Sequence, residues 1–502
     1  MTTESGGKVE WKQAPNGDLR PFMGNREIIW AAQPGSQVAF LSCPVFEALL
    51  EGTRGGGKTD CLLMDFAQHT GQGFGQEWRG ILFRQTYPQL QDVIAKSKKW
   101  FPQVFPRAKY NESQARWLFP DGEELMLRQM ENSQDYWNYH GHAYPWIGWE
   151  ELTTWPDDKC FKVMMSCSRS TRSNMPRKVR ATTNPYGVGH NWVKLRYKLP
   201  VVEGKIIGQI IKEKDETGAD MPERVAIHSR LQENRVLLNS EPGYEQKIRA
   251  AARNPAELRA WLHGDWNIVA GGMFDDVWSP GHHVVPSIRW DMVPRGWKID
   301  RSYDHGQSRP FSVGWWAESN GEPIQVGRRI LGGVPGDLFR IVEWYGWCGT
   351  PNEGLRYTAV EIARGIRSRE QEMGIWGRVR PGPADSSIFD DYEPGKSVAG
   401  DMRASAGIHW TRADKTSGSR KQGWQQMRML LKNAIPGSEG VREGPGLFIC
   451  ENCDQFLRTV PVLPRDDKDL DDADSLAEDH VADEVRYRTR AKRNEAVSFR
   501  WK

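Results

Sequence analysis

The sequence predicts an α/β protein of two domains, and three observations predict it. Short apolar runs alternate with helix-like segments through the first half of the chain, as in a sheet covered by helices. A glycine-rich loop, "EGTRGGGKT" (51–59), separates the first such run from the first such helix. After a glycine-containing break near "LHGDWNIVAGGMFDDVW" (262–278), the order changes to successive strand-like segments. A chain of 502 residues has room for roughly two to four domains.

The elements follow in order. Residues 1–44 are polar and rich in Gly and Pro, and read as an arm. "VFEALL" (45–50) reads as a buried strand and "TDCLLMDFAQHT" (59–70) as the helix behind the glycine loop. "GILFR" (80–84) is the next strand and "YPQLQDVIAKSKKWF" (87–101) the next helix. "ARWLFPDGEELMLRQM" alternates around Asp121-Gly122, a hairpin signal. "YPWIGW" (144–149) and "KVRATTNP" (178–185) complete the strands of a first domain over 45–265. A linker is expected at 266–274 and a second domain at 275–495. There "WKIDRSYDHG" and "FSVGWWAES" read as paired strands, and "PIQVGRRILGG" (323–333) as a third. Residues 337–347, 356–374 and 472–493 read as helices, with "GPADSSIFDD" (382–391) a strand end opening into a loop. Residues 496–502 form a basic tail.

Composition narrows the class. Apolar residues make up 38% and charged residues 26%, which suits a water-soluble globular chain, and no run approaches the ~20 apolar residues of a membrane span. The N-terminus lacks a signal-peptide core, so a cytoplasmic location is expected. Seven scattered cysteines make no disulfide framework, and Cys450-x-x-Cys453 lacks the second pair that a zinc site needs. A net charge of +3 says little about nucleic acid. Its distribution says more: 464–479 is acidic and 486–502 basic.

Gly52 through Thr59 fits G-x-x-x-x-G-K-[ST] between a strand and a helix, the pattern of a phosphate-binding loop. Gly52, Gly55 and Gly57 allow N–H groups to turn around phosphates, Lys58 reaches the β- and γ-phosphates, and Thr59 is placed for Mg²⁺. Glu150 and Glu151 end a buried run. Such a pair supplies a ligand for the Mg²⁺ shell and a carboxylate that polarises water, although an exposed pair opening a helix has the same look. Thr182, Thr183 and Asn184 end another strand, as γ-phosphate sensors or as cap-forming loop residues. Arg54 or Arg84 is a candidate to stabilise transition-state charge. In the second domain Asp304 and Asp385 end strands, and Asp483 lies on the last helix with Asp479 four residues earlier on the same face. Acids so arranged can hold two metal ions, or be three among many surface carboxylates.

In this order the motifs resemble the large terminase subunit of tailed double-stranded DNA bacteriophages. They are the phosphate loop, the strand-end Glu, T-T-N, G-D-W-x-x-x-x-G-G-x-F, D-H-G, A-D-S and D-H-V-A-D-E-V-R-Y. The resemblance spans most of 45–490 and departs from the family's usual Asp-Glu at Glu150. It implies an ASCE-type P-loop ATPase domain with a mostly parallel sheet, joined to an RNase H-like α/β nuclease domain. It further implies a motor that hydrolyses ATP to move DNA through a portal into a procapsid and cuts concatemeric DNA by a two-metal mechanism. By position it assigns Lys58 and Thr59 to the loop, and Glu151 to catalysis of hydrolysis. Thr182–Asn184 become the coupling segment, and Asp304, Asp385 and Asp483 the nuclease metal ligands, with Asp479 beside them. Lys415, Arg420 and Lys421 become DNA contacts, unless their segment is only a solvated loop. ATP and Mg²⁺ are the implied cofactors, with Mn²⁺ an alternative at the nuclease site. Double-stranded DNA, the portal protein, the small terminase subunit and a ring of like chains are the implied partners. The place of action is the host cytoplasm, transiently at the procapsid portal vertex. The rival readings are an ATP-dependent helicase or repair nuclease, and a non-enzymatic nucleotide-gated assembly protein.

Overall fold

The structure is a computed structural model. It describes residues 9–13, 19–23, 26–215, 217–252, 255–267, 272–437, 440–442, 444–466 and 468–491. The expected basic tail and residues 268–271 of the expected linker lie outside these. The chain divides into two compact units. The first runs to Tyr186 and takes in Val193–Ala252 and Leu258–Trp266, and the second takes in Gly187–Trp192, Arg253–Glu257 and the chain from Asn267.

The first unit opens with a small antiparallel sheet, β1 (Val9–Gln13), β2 (Leu19–Met23) and β3 (Arg26–Glu27), and a short helix α1 (Ser36–Leu41). The first 44 residues are therefore more than an arm. Its main sheet has eight strands: β4 (Glu47–Gly52), β5 (Arg79–Arg84), β6 (Lys109–Asn111), β7 (Arg116–Leu118), β8 (Glu124–Gln129), β9 (Trp146–Trp149), β10 (Lys178–Thr182) and β11 (Arg224–Ser229). They lie in the order β11-β4-β10-β9-β5-β8-β7-β6. All pairings from β11 to β8 are parallel, and only β6 and β7 run against their neighbours. Strand β4 is buried along its whole length, as a parallel strand covered on both faces must be. Helix α2 (Lys58–Ala67) packs Leu62, Leu63 and Phe66 into this core, and α3 (Tyr87–Val104) starts on a Thr86/Gln89 capping box. Strand β10 lies between β4, which carries the glycine loop, and β9, which carries the acids; this is the ASCE order. Register puts Thr182 opposite Leu50 and Ala181 opposite Trp149, so the strand ends line up along one edge. Two later helices, α4 (Arg235–Ser240) and α5 (Pro255–His263), close the unit.

The second unit is built on a seven-stranded sheet. Its strands are β12 (Val284–Val285), β13 (Lys298–Asp304), β14 (Ser312–Glu318), β17 (Leu338–Tyr345), β18 (Pro383–Ala384), β19 (Thr411–Arg412) and β20 (Leu447–Cys450), in the order β12-β20-β17-β14-β13-β18-β19. The antiparallel meander β13-β14-β17, extended from β13 by parallel β18 and β19, is an RNase H-like order. Helices α6 (Ala359–Glu372), α7 (Ser419–Ala434), α8 (Asp454–Thr459) and α9 (His480–Arg490) complete it. Trp315, Phe339, Ile341 and Ile449 from the sheet share one core with Ile362, Trp424, Met427 and Val485.

Three expectations are corrected. Residues 337–347 form β17, not a helix: "LFRIVEWY" is rich in aromatic and β-branched residues, and its position between β14 and β20 overrides the helical pattern. Residues 323–333 do not join the main sheet. They fold on themselves as β15 (Ile324–Val326) and β16 (Arg329–Leu331), because Gly327 takes a φ of 57° and turns the chain back. The last helix starts at His480 rather than 472. Before it, Asp466, Asp469 and Asp474 accept backbone N–H bonds two or three residues on, and these local turns compete with helix. Asp479 is thus the residue before the first helical turn, not part of it.

Candidate functional site

In the first unit, the chain leaves β4 through Gly52, whose φ of 127° excludes other residues. A Cβ there would lie 2.2 Å from the Ser229 carbonyl oxygen. Gly55 and Gly57 take φ of 78° and 72°. Two carbonyls of the loop are held from outside: Asn234 donates to Gly55 O at 2.6 Å and Gln37 to Gly56 O at 3.1 Å. This favours the inward N–H orientation of a phosphate cradle. Neither Gln37 nor Asn234 carries a signal in the sequence, because each reaches the loop only through the fold.

Three of the expected residues form one polar chain. The Lys58 ammonium donates to Thr53 O at 2.6 Å and to Asn184 Oδ1 at 2.7 Å, and the Asn184 amide donates to Glu151 Oε1 at 3.0 Å. Burial pulls the Lys58 pKa below its ordinary value, against the opposing pull of Glu151, Glu51 and Glu150. Glu151 has a φ of 53°, a left-handed backbone that is uncommon for a side-chain-bearing residue and is concentrated at functional sites. Thr183 Oγ1 meets Thr153 Oγ1 at 2.7 Å and accepts Thr153 N–H at 3.2 Å, tying the end of β10 to the turn after Glu151. Thr182 remains inside its strand, buried, and does not enter this chain.

Glu150 is buried beside the loop. Its pKa is raised by that burial, while Arg84 and a hydrogen bond from the Thr59 hydroxyl oppose the rise. Arg84 Nε lies 3.4 Å from the Glu150 carboxylate, and Arg84 Nη1 donates to its carbonyl at 3.2 Å. Arg84 is thus engaged with an acid. Arg54 is exposed, and its guanidinium lies 3.8 Å from the centre of the Trp261 ring while its N–H donates to Trp261 O at 3.0 Å. Thr59 and Glu150, whose side chains lie near one another, are the pair that would fit the coordination shell of Mg²⁺ on a nucleotide.

In the second unit, pairing of Tyr303 with Ala384 puts Asp304 and Asp385 side by side at two strand ends. Helix α9 packs on β13 and brings Asp479 and Asp483 to the same end; Asp483 N–H donates to Asp479 O at 2.8 Å. Each acid has its own donor. Asp304 lies 3.3 Å from His480 Nδ1 and accepts the Tyr487 hydroxyl at 3.3 Å. Lys415 lies 2.6 Å from Asp385, and Arg486 Nε 2.9 Å from Asp483. Arg420 bridges Asp472 at 2.9 Å and Asp479 at 3.0 Å, and Lys421 pairs with Asp469 at 2.6 Å. The expected DNA contacts Lys415, Arg420 and Lys421 are thus each paired with carboxylates, and the side chains of Lys415 and Lys421 remain open to solvent. Burial raises the Asp304 pKa to about 6 and the Asp479 pKa to about 7, with neighbouring carboxylates adding to both rises. His480 is raised: burial works against its charge, and Asp304 outweighs it. For Asp385 burial is again opposed, and Lys415 holds the pKa below its usual range. Among the described residues no three His, Cys, Asp or Glu side chains are drawn together as a metal cage. The donor set itself, buried carboxylates repelling one another at strand ends, suits a divalent cation. His480 and Tyr487 were not singled out from sequence, although both lie in the same D-H-V-A-D-E-V-R-Y segment as Asp479 and Asp483.

Several solved structures resemble this chain. They include large terminases of bacteriophages. The large terminase of a thermophilic bacteriophage matches with a TM-score of 0.39 and 14% identity, over 91% of this chain and 98% of that one. The HK97 bacteriophage large terminase matches with a TM-score of 0.41 and 11% identity, over 92% of this chain and 95% of that one. The P22 large terminase nuclease domain matches with a TM-score of 0.29 and 13% identity, over 43% of this chain and 89% of that domain. The thermophilic phage's terminase has also been solved with ADP and with ATP-gamma-S. No family model matches the sequence, and no curated protein matches it. Among the described residues no helix is long and apolar enough to cross a membrane.

Proposed function

We propose that this chain is a viral DNA-packaging motor and endonuclease, a large terminase subunit. The observation that carries the reading is the occurrence, in one chain, of the Lys58–Asn184–Glu151 link and of the acids Asp304, Asp385, Asp479 and Asp483 at one end of the second sheet. A nucleotide engine alone would need only the first, and a nuclease only the second.

In the ATP step, the loop N–H groups and Lys58 hold the phosphates, and Thr59 with Glu150 holds Mg²⁺. Glu151 orients the attacking water. Asn184 stands between Lys58 and Glu151, so phosphate arriving at Lys58 competes for the ammonium that Asn184 now accepts from. That exchange moves the end of β10, and Thr183 passes it to the turn at Thr153. Arg54, exposed on Trp261, supplies charge to the transition state. In the cutting step, Asp304, Asp385 and Asp483 would hold the metal ions, with Asp479 beside them. Divalent cations bound there supply Lewis-acid stabilisation of the phosphodiester. His480 and Tyr487 orient the Asp304 carboxylate. Double-stranded DNA, the portal, a small terminase subunit and further copies of this chain are the partners of such a motor. The test is packaging of DNA into purified procapsids, read as DNase protection. ATP-dependent protection that is lost in Lys58→Ala supports the reading, and unwinding of a forked duplex without protection replaces it with a helicase.

A further inference from the structure

The second unit contains a cleft of about 740 Å³ that the cutting mechanism does not use. It runs beside β13, β18 and β19 and the last turns of α9. Tyr487 joins it to the acid cluster: its ring lines the cleft while its hydroxyl donates to Asp304. From Asp304 back to Asp300, also in the lining, is four strand residues, about 13 Å, or roughly four phosphates of duplex rise along one strand.

The charges in the cleft are not balanced: five cations line it against three carboxylates. Arg488 donates to both Asp300, at 2.6 Å, and Glu318, at 2.8 Å, and Arg490 pairs with Asp414. Further cations face the same space. Arg380 is exposed, and its guanidinium has no hydrogen-bond or ion-pair partner among the described residues. Lys298 has only a long contact, 3.9 Å, to Glu318. Arg412 is exposed and pairs loosely, at 3.3 Å, with exposed Asp390. Between these cations the wall is Pro381-Gly382-Pro383, and Gly382 lets this segment approach β13 closely: a Cβ there would lie 2.0 Å from Arg301 O. Two prolines leave the wall few backbone donors, and with cations in excess at its border it suits a sugar–phosphate chain better than base edges.

We infer that this cleft binds the phosphate backbone of a DNA strand on one side of the cutting site, with Arg380 and Lys298 as its main contacts. The inference rests on the nuclease reading above. Binding of a labelled 30-base-pair duplex to the full chain in EDTA, measured from 50 to 200 mM salt, tests it. Removing two phosphate contacts should lower the slope of log affinity against log salt by about 2. The double variant Lys298→Ala/Arg380→Ala should show that drop and bind about tenfold more weakly, while cutting at saturating DNA and ATP turnover change less than twofold. The charge-conserving pair Lys298→Arg/Arg380→Lys should keep the wild-type slope. A slope change below 0.5 in the alanine variant, or an equal loss in the charge-conserving one, overturns the inference. So does tripolyphosphate binding that disappears in the alanine variant with the DNA slope unchanged, which assigns the cleft to a free polyphosphate. If the wild type cuts plasmid but the alanine variant keeps its salt slope, the cleft alone is refuted. If the alanine variant loses slope but the wild type never cuts, the nuclease reading is refuted and the cleft stands.

Discussion

The two acid-bearing sites sit at equivalent places, the carboxyl ends of neighbouring strands, yet their acids are held in opposite ways. In the first unit, Glu151 is one end of a relay to Lys58 through Asn184, and Glu150 is held by Arg84. The residues proposed to meet nucleotide are bonded to one another or to a neighbour of the same site. In the second unit, each acid is matched with a separate partner: Asp304 with His480 and Tyr487, Asp385 with Lys415, Asp479 with Arg420, and Asp483 with Arg486. The first arrangement suits a site that must transmit what happens in it. The second suits a site whose acids must exchange partners when metal and phosphodiester arrive.

The difference predicts different responses to substitution. The largest should come from the acids that do chemistry. Glu151→Gln should lower steady-state ATP turnover by roughly 10²–10⁴-fold while plasmid cutting with Mg²⁺ stays within twofold. Asp304→Asn should lower cutting by a similar factor and leave ATP turnover alone. If either variant impairs both activities equally, the two sites are not separate machines. Lys58→Ala should cost roughly 10²–10³-fold in turnover, as loss of one preorganised phosphate donor does. Asn184→Ala should be milder, about tenfold to a hundredfold, because neither reacting group is removed and the net loss is about that of one hydrogen bond to a charged group, about 1.5–3 kcal/mol. An Asn184→Ala enzyme with normal turnover would sever the proposed relay. The smallest effect should be Trp261→Leu. An exposed cation–π contact is worth about 0.5–1 kcal/mol, so ATP turnover should move by no more than about fivefold, in whichever direction Arg54 gains freedom.

What could be read from sequence was whatever is local. The run Gly52–Thr59 specifies its own turn, because three glycines at left-handed or otherwise restricted φ leave the chain few alternatives. Strands flanked by turn residues were legible for the same reason. What could not be read depends on distant neighbours. "LFRIVEWY" carries enough helical pattern to mislead, and becomes β17 only because β14 and β20 flank it. Arg420 and Lys421 look like exposed cations in a basic segment, and only the fold reveals Asp472, Asp479 and Asp469 opposite them. Gln37 and Asn234 brace the phosphate loop from 19 and 179 residues away along the chain. The cleft at Arg380 draws on five separate segments, so no motif announces it.

The central claim is that one chain holds two independent hydrolytic sites serving one task. The most direct test is to measure ATP turnover and plasmid cutting side by side on the purified full chain and on Glu151→Gln and Asp304→Asn. The account predicts a wild type with both activities, a Glu151→Gln chain that still cuts, and an Asp304→Asn chain that still turns over ATP. Normal turnover and normal cutting in both variants would contradict it and place both chemistries on other residues; a wild type with neither activity would point to a nucleotide-gated assembly protein whose acids are structural.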